Sequence, residues 1–349
     1  MSLLQLDNDP QLQGIANEIF RQLFQQMPQL DEPAKRNIRQ AIACNLGDIC
    51  AALELEDNKL FTYSTGWFYR LLCPRMPSRT TEAIKDLILK GYDMFGAYAG
   101  KRIGPGKQKQ LQERMRSAVA AAGREHENSS CASNDTEDSY GKEIQELLDC
   151  LLSSQIRDAI FLVSEYRKRG IPLEDIYVDI TAGSMRRVGD MWHQYAISEA
   201  QEHYCTATAQ LALAQFYPVI FRQERKRRKV LVACVGSELH EMGARMVADL
   251  FEYDGWDSIY LGAEVPIDSI LSEAKRSGPD LLALSVTLPQ HLLDCREAVR
   301  QARRRFPDMR LAVGGNAFSH TDDIWEEWEV DVYTKDARDL VKWADKAMG

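Results

Sequence analysis

At residue 229 the hydrophobic pattern of the chain changes period. Before it, apolar residues recur at helical spacing; after it, continuous apolar runs alternate with amphipathic ones. "KVLVACVG" is uninterrupted and ends in glycine, as a strand buried on both faces requires. Helix "HEMGARMVADLFEYDGW" follows, then strand "SIYLGAEV" (258–265), helix "PIDSILSEAKRSG", strand "DLLALSVT" and helix "PQHLLDCREAVRQARRRF". Strand "RLAVGGNA", a short strand around "VDVYT" and helix "DARDLVKWADKAM" complete five β-α units. Such alternation demands an α/β domain with a parallel, doubly wound, flavodoxin-like (Rossmann-like) sheet. Ligands of these sheets sit beyond the carboxyl ends of the strands. The loops at 236–243, 262–266, 285–289 and 314–318 are therefore where a site belongs.

Upstream, the chain reads as helical. Residues 1–122 form an all-α module of at least five helices, with no convincing strand. The stretch 123–140, "GREHENSSCASNDTEDSY", has almost no aliphatic side chain and reads as a disordered linker. Four helical segments follow within 141–224, at about 141–153, 155–169, 172–194 and 197–221. Short connections make antiparallel neighbours, so this is a four-helix bundle, and 225–349 is the sheet domain.

The 349 residues carry a net charge of -9, which argues against wrapping nucleic acid. The basic stretches "RQERKRRK" and "RQARRR" read as a solvated connector and a solvated helix face. Eight cysteines show no CxxC pair and no metal spacing, a pattern that suits a reducing compartment. "MSLLQLDNDPQLQ" lacks the basic and apolar regions of a signal peptide, and no apolar run reaches membrane-span length. A cytoplasmic protein without membrane contact is expected.

The loop after the first strand, "GSELHEMG", has neither GxGxxG nor a P-loop; Glu238, His240 and Gly243 form E-x-H-x-x-G instead. A neutral imidazole at a sheet's carboxyl edge can coordinate a metal, with a carboxylate two residues back holding its other nitrogen. A surface histidine is the plainer reading of His240 alone. The other loops add Ser285 and Thr287 of "SVT", and Gly314 and Gly315 of "GGN", which let a ligand approach the backbone closely. Together they describe a narrow slot for an extended polar tail beside His240.

Residues 229–349 resemble the cobalamin-binding domain, whose D-x-H-x-x-G, S-x-L and G-G motifs match "ELHEMG", "SVT" and "GG". The resemblance implies His240 as the lower axial cobalt ligand and Glu238 as its partner. It implies that Gly243, Ser285, Thr287, Gly314 and Gly315 line the slot for the dimethylbenzimidazole tail. Glu238 replaces the usual Asp and Thr287 the usual Leu.

The stretch "MWHQYAISEAQEHYCTATAQ" crowds Trp192, His193, Glu202 and His203 at one end of the bundle. Trp192-His193, with Glu202-His203 following at W-x9-EH spacing, resembles the helical cap of B12-dependent photoreceptors of the CarH type. That resemblance implies Trp192 shielding the upper axial group and His193 coordinating cobalt after light. Glu202 and His203 would hold the upper ligand or the cap. The family has a small apolar residue where Glu199 stands, so Glu199 faces either solvent or a different upper pocket.

The module 1–122 does not resemble the winged helix that opens CarH-type chains. It is similar to the globin- or phycocyanin-like module of the photocobilins, which implies biliverdin as a second chromophore. Tyr63, Trp67, Tyr69, Tyr92, Phe95 and Tyr98 would stack on the tetrapyrrole, and Arg70, Arg75 or Arg102 would pair with its propionates. An aromatic stripe at helical spacing also builds an ordinary core, and both readings stand. The resemblance implies a non-enzymatic light sensor holding adenosylcobalamin or methylcobalamin, a homo-oligomer (a dimer) with a downstream protein partner and no direct DNA contact. A corrinoid methyl carrier of a methyltransferase system, or a B12-responsive transcriptional regulator, are the alternatives.

Overall fold

The computed structural model describes residues 10–25, 32–76, 80–103, 105–129 and 139–348, which divide into two compact units. The N-terminal unit contains α1 (Pro10–Gln25), α2 (Glu32–Glu54), α3 (Asn58–Arg75), α4 (Thr81–Ile103) and α5 (Pro105–Ser129). Asp57 starts α3 by accepting from Leu60 N at 2.7 Å, satisfying one of the helix's orphan donors.

The aromatic stripe of this unit is core. Phe61, Tyr69, Tyr92 and Phe95 are all buried. Tyr92 donates to Asn45 Oδ1 at 3.2 Å and lies 3.0 Å from Thr65 Oγ1, so its hydroxyl is satisfied within the helices. The cavity beside it holds about 10 Å³, room for roughly one water. Tyr92, expected against a tetrapyrrole, is therefore a packing residue. Arg75, expected on a propionate, is buried and donates to Leu71 O at 2.8 Å. Tyr63, Trp67 and Arg70 are half-buried on α3. The side chains of Tyr98 and Arg102 lie outside the described residues.

The expected linker also begins later than its composition suggests. Helix α5 continues through Gly123 to Ser129. A Cβ on Gly123 would meet Lys85 Cε at 2.1 Å, so the helices meet closely there. Residues 130–138 lie outside the described part.

The second unit begins with α6 (Gly141–Leu152) and α7 (Ile156–Lys168). A continuous helical stretch follows: α8 (Leu173–Asp175), a π-helical segment (Ile176–Thr181) and α9 (Ala182–His193). Helix α10 (Glu199–Ala214) opens with a capping box between Ser198 and Gln201, and α11 (Tyr217–Ile220) ends the bundle.

Then come β1 (Lys229–Cys234), α12 (Met242–Tyr253), β2 (Asp257–Tyr260), α13 (Ile267–Ser277), β3 (Leu281–Ser285), α14 (Leu292–Arg305), β4 (Arg310–Gly314), β5 (Val332–Tyr333) and α15 (Ala337–Met348). All pairings are parallel, in the order β2-β1-β3-β4-β5. This is the flavodoxin-like order, with its switch point between β1 and β3. Strand β2 is shorter than its apolar run, because Gly262 at φ +86 turns the chain away.

Bundle and sheet share one hydrophobic core, from Leu147 through Tyr177 and Leu213 to Val232, Phe251 and Ala344. Polar clamps reinforce it. Arg338 on α15 donates to Asp175 and Asp179, at 2.8 and 2.7 Å. The connector "RQERKRRK" is largely exposed, as expected, and its charges pair with the sheet domain at the surface. Arg225 meets Glu252 at 2.6 Å, and Lys226 meets Asp254 at 2.5 Å and Asp345 at 2.6 Å.

Candidate functional site

Strand register sets the site. Cys234 pairs with Ser285, and Ser285 with Gly314, so β1, β3 and β4 end side by side. The loop leaving β1 turns at Gly236, φ +71, where a Cβ would lie 2.6 Å from Asp294 Oδ2. The turn drops Glu238 into the gap between the ends of β1 and β3.

Glu238 is fully buried and its carboxylate is fully used. Oε2 accepts from Thr287 N at 2.9 Å and Leu288 N at 2.8 Å. Oε1 accepts from His240 N at 3.0 Å and lies 2.6 Å from His240 Nδ1. Burial pushes this carboxyl upward, but the hydrogen bonds from His240 and Leu288 outweigh it and hold it at about 2. The contact with ionised Glu238 raises His240 against the opposing effect of burial. With Nδ1–H donated to Glu238, Nε2 becomes the basic nitrogen of an imidazole whose side chain is 57% exposed.

The slot beside His240 is made of small residues with different reasons to be small. A Cβ on Gly243 would meet nothing within 4 Å, so that flank is open. Gly315 has φ +100, and a Cβ there would lie 2.2 Å from Val286 O. Gly314 is tight against Thr334 O, at 3.3 Å. Ser285 and Thr287 are half-buried. Thr287 was expected to contribute its hydroxyl, yet it is its backbone amide that reaches Glu238. Leu288 does the same, and sequence reasoning missed it because a backbone donor leaves no residue-type signal.

The bundle brings its own group to this edge. Trp192 and His193 end α9 half-buried, and Trp192 packs on the common core. Glu199, the first residue of α10, is exposed, and its Oε1 lies 3.7 Å from His203 Nε2. Glu202 Oε2 lies 2.6 Å from His203 Nδ1, and its Oε1 accepts from Thr206 Oγ1 at 2.8 Å. Gln210 on α10 donates to Glu241 Oε1 at 3.4 Å, so α10 faces the loop that carries the imidazole. Tyr63, Trp67, Arg70 and Tyr92 belong to the other unit.

A basic nitrogen presented by a buried carboxylate at the carboxyl edge of the sheet, with open space beside Gly243, suits a bulky metal-bearing cofactor. Residues 228–340 match the family model described as B12 binding domain, and residues 143–217 match a second B12 binding domain model. The chain is a cobalamin-binding protein.

A corrinoid protein of Desulfitobacterium hafniense is 21% identical over 217 residues, covering 59% of this chain and 99% of the relative. A trimethylamine corrinoid protein of Methanosarcina acetivorans is 23% identical over 176 residues, covering 49% of this chain and 80% of the relative. The structure of the Methanosarcina barkeri monomethylamine corrinoid protein aligns with a TM-score of 0.52 at 21% identity, over 59% of this chain and 99% of that one. That last likeness is one of fold. Among the described residues, no helix is long and apolar enough to cross a membrane.

Proposed function

We propose that this cobalamin-binding protein is a corrinoid methyl carrier, a non-catalytic component that serves partner methyltransferases and self-associates as a dimer. The observation that carries the reading is the fully buried Glu238 holding Nδ1 of His240 and leaving Nε2 exposed at the slot. The likeness to trimethylamine and monomethylamine corrinoid proteins supports methyl transfer as the use of that site.

Bound cobalamin supplies a cobalt centre able to accept and release a methyl group. The chain's residues would divide the work of holding it. His240 Nε2 is the ligand from the sheet side, and Glu238 sets its tautomer and direction. Gly243, Gly314 and Gly315, with Ser285 and Thr287, leave room for the nucleotide tail. Trp192 and His193 would help to enclose the cofactor from the bundle side, with Glu202 and His203 beside them.

A second reading, the light sensor, rests on one observation. Trp192-His193 and Glu202-His203 stand at the adjoining ends of α9 and α10 with the spacing of the photoreceptor cap. In that reading His193 becomes the upper ligand after illumination. One experiment separates the two. Purified full-length protein is loaded with hydroxocobalamin, reduced and offered methyl iodide, then compared dark and lit by absorption and size-exclusion chromatography. The carrier reading expects methylcobalamin to form and persist in the dark, and an assembly that light leaves unchanged. A light-driven bis-imidazole spectrum with altered size, lost in His193→Ala, would favour the sensor. Failure to retain any corrinoid on desalting would defeat both.

A further inference from the structure

Glu238 fixes His240 from the N-terminal side; the C-terminal side has its own fixture. Tyr260, the last residue of β2, points its hydroxyl at Glu241, the residue directly after His240. The hydroxyl lies 3.2 Å from Glu241 O and 2.9 Å from Glu241 Oε2, so one proton is shared between backbone and carboxylate. The guanidinium of Arg245 sits 4.8 Å from the centroid of the Tyr260 ring and holds its face. Arg245 itself donates to the hydroxyl of Tyr217, in the bundle, at 2.8 Å.

The other oxygen of Glu241 faces the bundle. Gln210 on α10 donates to Glu241 Oε1 at 3.4 Å. One carboxylate is thus bound on one side by a sheet strand and on the other by the helix that carries Glu202 and His203. A shift of α10 must pull on Glu241, and Glu241 is covalently joined to the residue that presents the imidazole.

We propose that Tyr260 and Glu241 are positioning residues for His240, transmitting the position of helix α10 to the orientation of the imidazole. The proposal rests on His240 being the cobalt ligand. Groups that orient a metal-binding histidine from the outer shell typically change metal affinity by about 10–100-fold when removed. Here the support runs through the backbone rather than through the ring nitrogen.

Tyr260→Phe removes the hydroxyl and keeps the ring that Arg245 covers, so the fold is retained. Glu241→Ala removes the carboxylate contacts to Tyr260 and Gln210 and keeps the backbone carbonyl that Tyr260 also reaches. Tyr166→Phe is the control: its hydroxyl donates to Glu143 O within the bundle at 2.9 Å, so it tests a lost hydroxyl away from the site. Full-length variants are loaded with methylcobalamin and compared by equilibrium dialysis and by the fraction of bound corrinoid showing the imidazole-ligated absorption spectrum. Tyr260→Phe should bind about tenfold more weakly with a substantial imidazole-off fraction, and Glu241→Ala should shift both readouts in the same direction. Tyr166→Phe should leave both readouts as in the wild type. If Tyr260→Phe binds with wild-type affinity and a wholly imidazole-ligated spectrum, the proposal is wrong. His240→Ala run in parallel separates the two levels: a retained imidazole-ligated spectrum there would remove the ligand assignment itself, and the proposal with it.

Discussion

The Glu238 side chain is completely buried, and the His240 imidazole 2.6 Å away is more than half exposed. The pair works as a stalk and a head. The stalk is held by the amides of Thr287 and Leu288, so its position comes from the end of β3 and not from the flexible loop around it.

Removing the stalk should therefore cost stability as well as binding. Glu238→Ala strands three backbone N–H groups, those of His240, Thr287 and Leu288, and should lower the unfolding free energy by about 3 kcal/mol, since each buried donor left unpaired costs about 1–3 kcal/mol. Urea denaturation of the cobalamin-free protein reads this directly. Cobalamin affinity should fall by about 10–100-fold in the same variant. A variant as stable as the wild type would show that the three amides find other partners.

Two glycines of the slot should respond in opposite ways. Gly315→Ala must adopt φ +100 and place its Cβ 2.2 Å from Val286 O, so it should lose more than about 2 kcal/mol in thermal unfolding. Gly243→Ala enters open space in the first turn of α12 and should gain up to about 1 kcal/mol from helix propensity. Its methyl group nevertheless occupies the slot, so cobalamin retention should fall about tenfold. Unchanged retention in Gly243→Ala would place the tail elsewhere.

A pH effect is built into the junction of bundle and sheet. Burial pushes Asp249 up to about 6, against the opposing pull of Arg245 and the hydroxyls of Tyr177 and Tyr217, with Glu252 adding to the rise. Tyr177 donates to it at 3.3 Å. Because the folded state favours the protonated form, this group's contribution is fully present below its unfolded value near 3.8. It is lost as pH rises through about 6. Asp249→Asn should remove this dependence, so the difference in unfolding free energy between wild type and variant should change by about 2 kcal/mol between pH 4 and 7. A constant difference across that range would show that Asp249 does not titrate in the window.

Much of this architecture can be read from the chain. "KVLVACVG" and "DLLALSVT" announce buried parallel strands because both faces are apolar. The E-x-H spacing places a carboxylate where it reaches the near nitrogen of His240. What escapes is contact made across long stretches of sequence or through the backbone. Tyr92 has the spacing of a ring-stacking residue, but Asn45 and Thr65 satisfy its hydroxyl from distant turns, and no periodicity reports that. The amides of Thr287 and Leu288 carry no side-chain signature, and Tyr260 lies within an apolar run where only its hydroxyl matters. "GREHENS" lacks aliphatic residues yet continues α5 as far as Ser129, because backbone hydrogen bonding needs no apolar side chain to propagate a helix already started.

The central claim is that His240 is the protein's ligand to cobalt. It is tested by electron paramagnetic resonance of the full-length protein loaded with cobalamin and reduced to the Co(II) state, prepared once with ordinary histidine and once with nitrogen-15 histidine. An axial imidazole from the protein gives three-line splitting that becomes two-line on labelling, and the two-line pattern should be absent from labelled His240→Ala. Three-line splitting that persists in the labelled protein would show that the axial nitrogen comes from the cofactor's own base, and would contradict the claim.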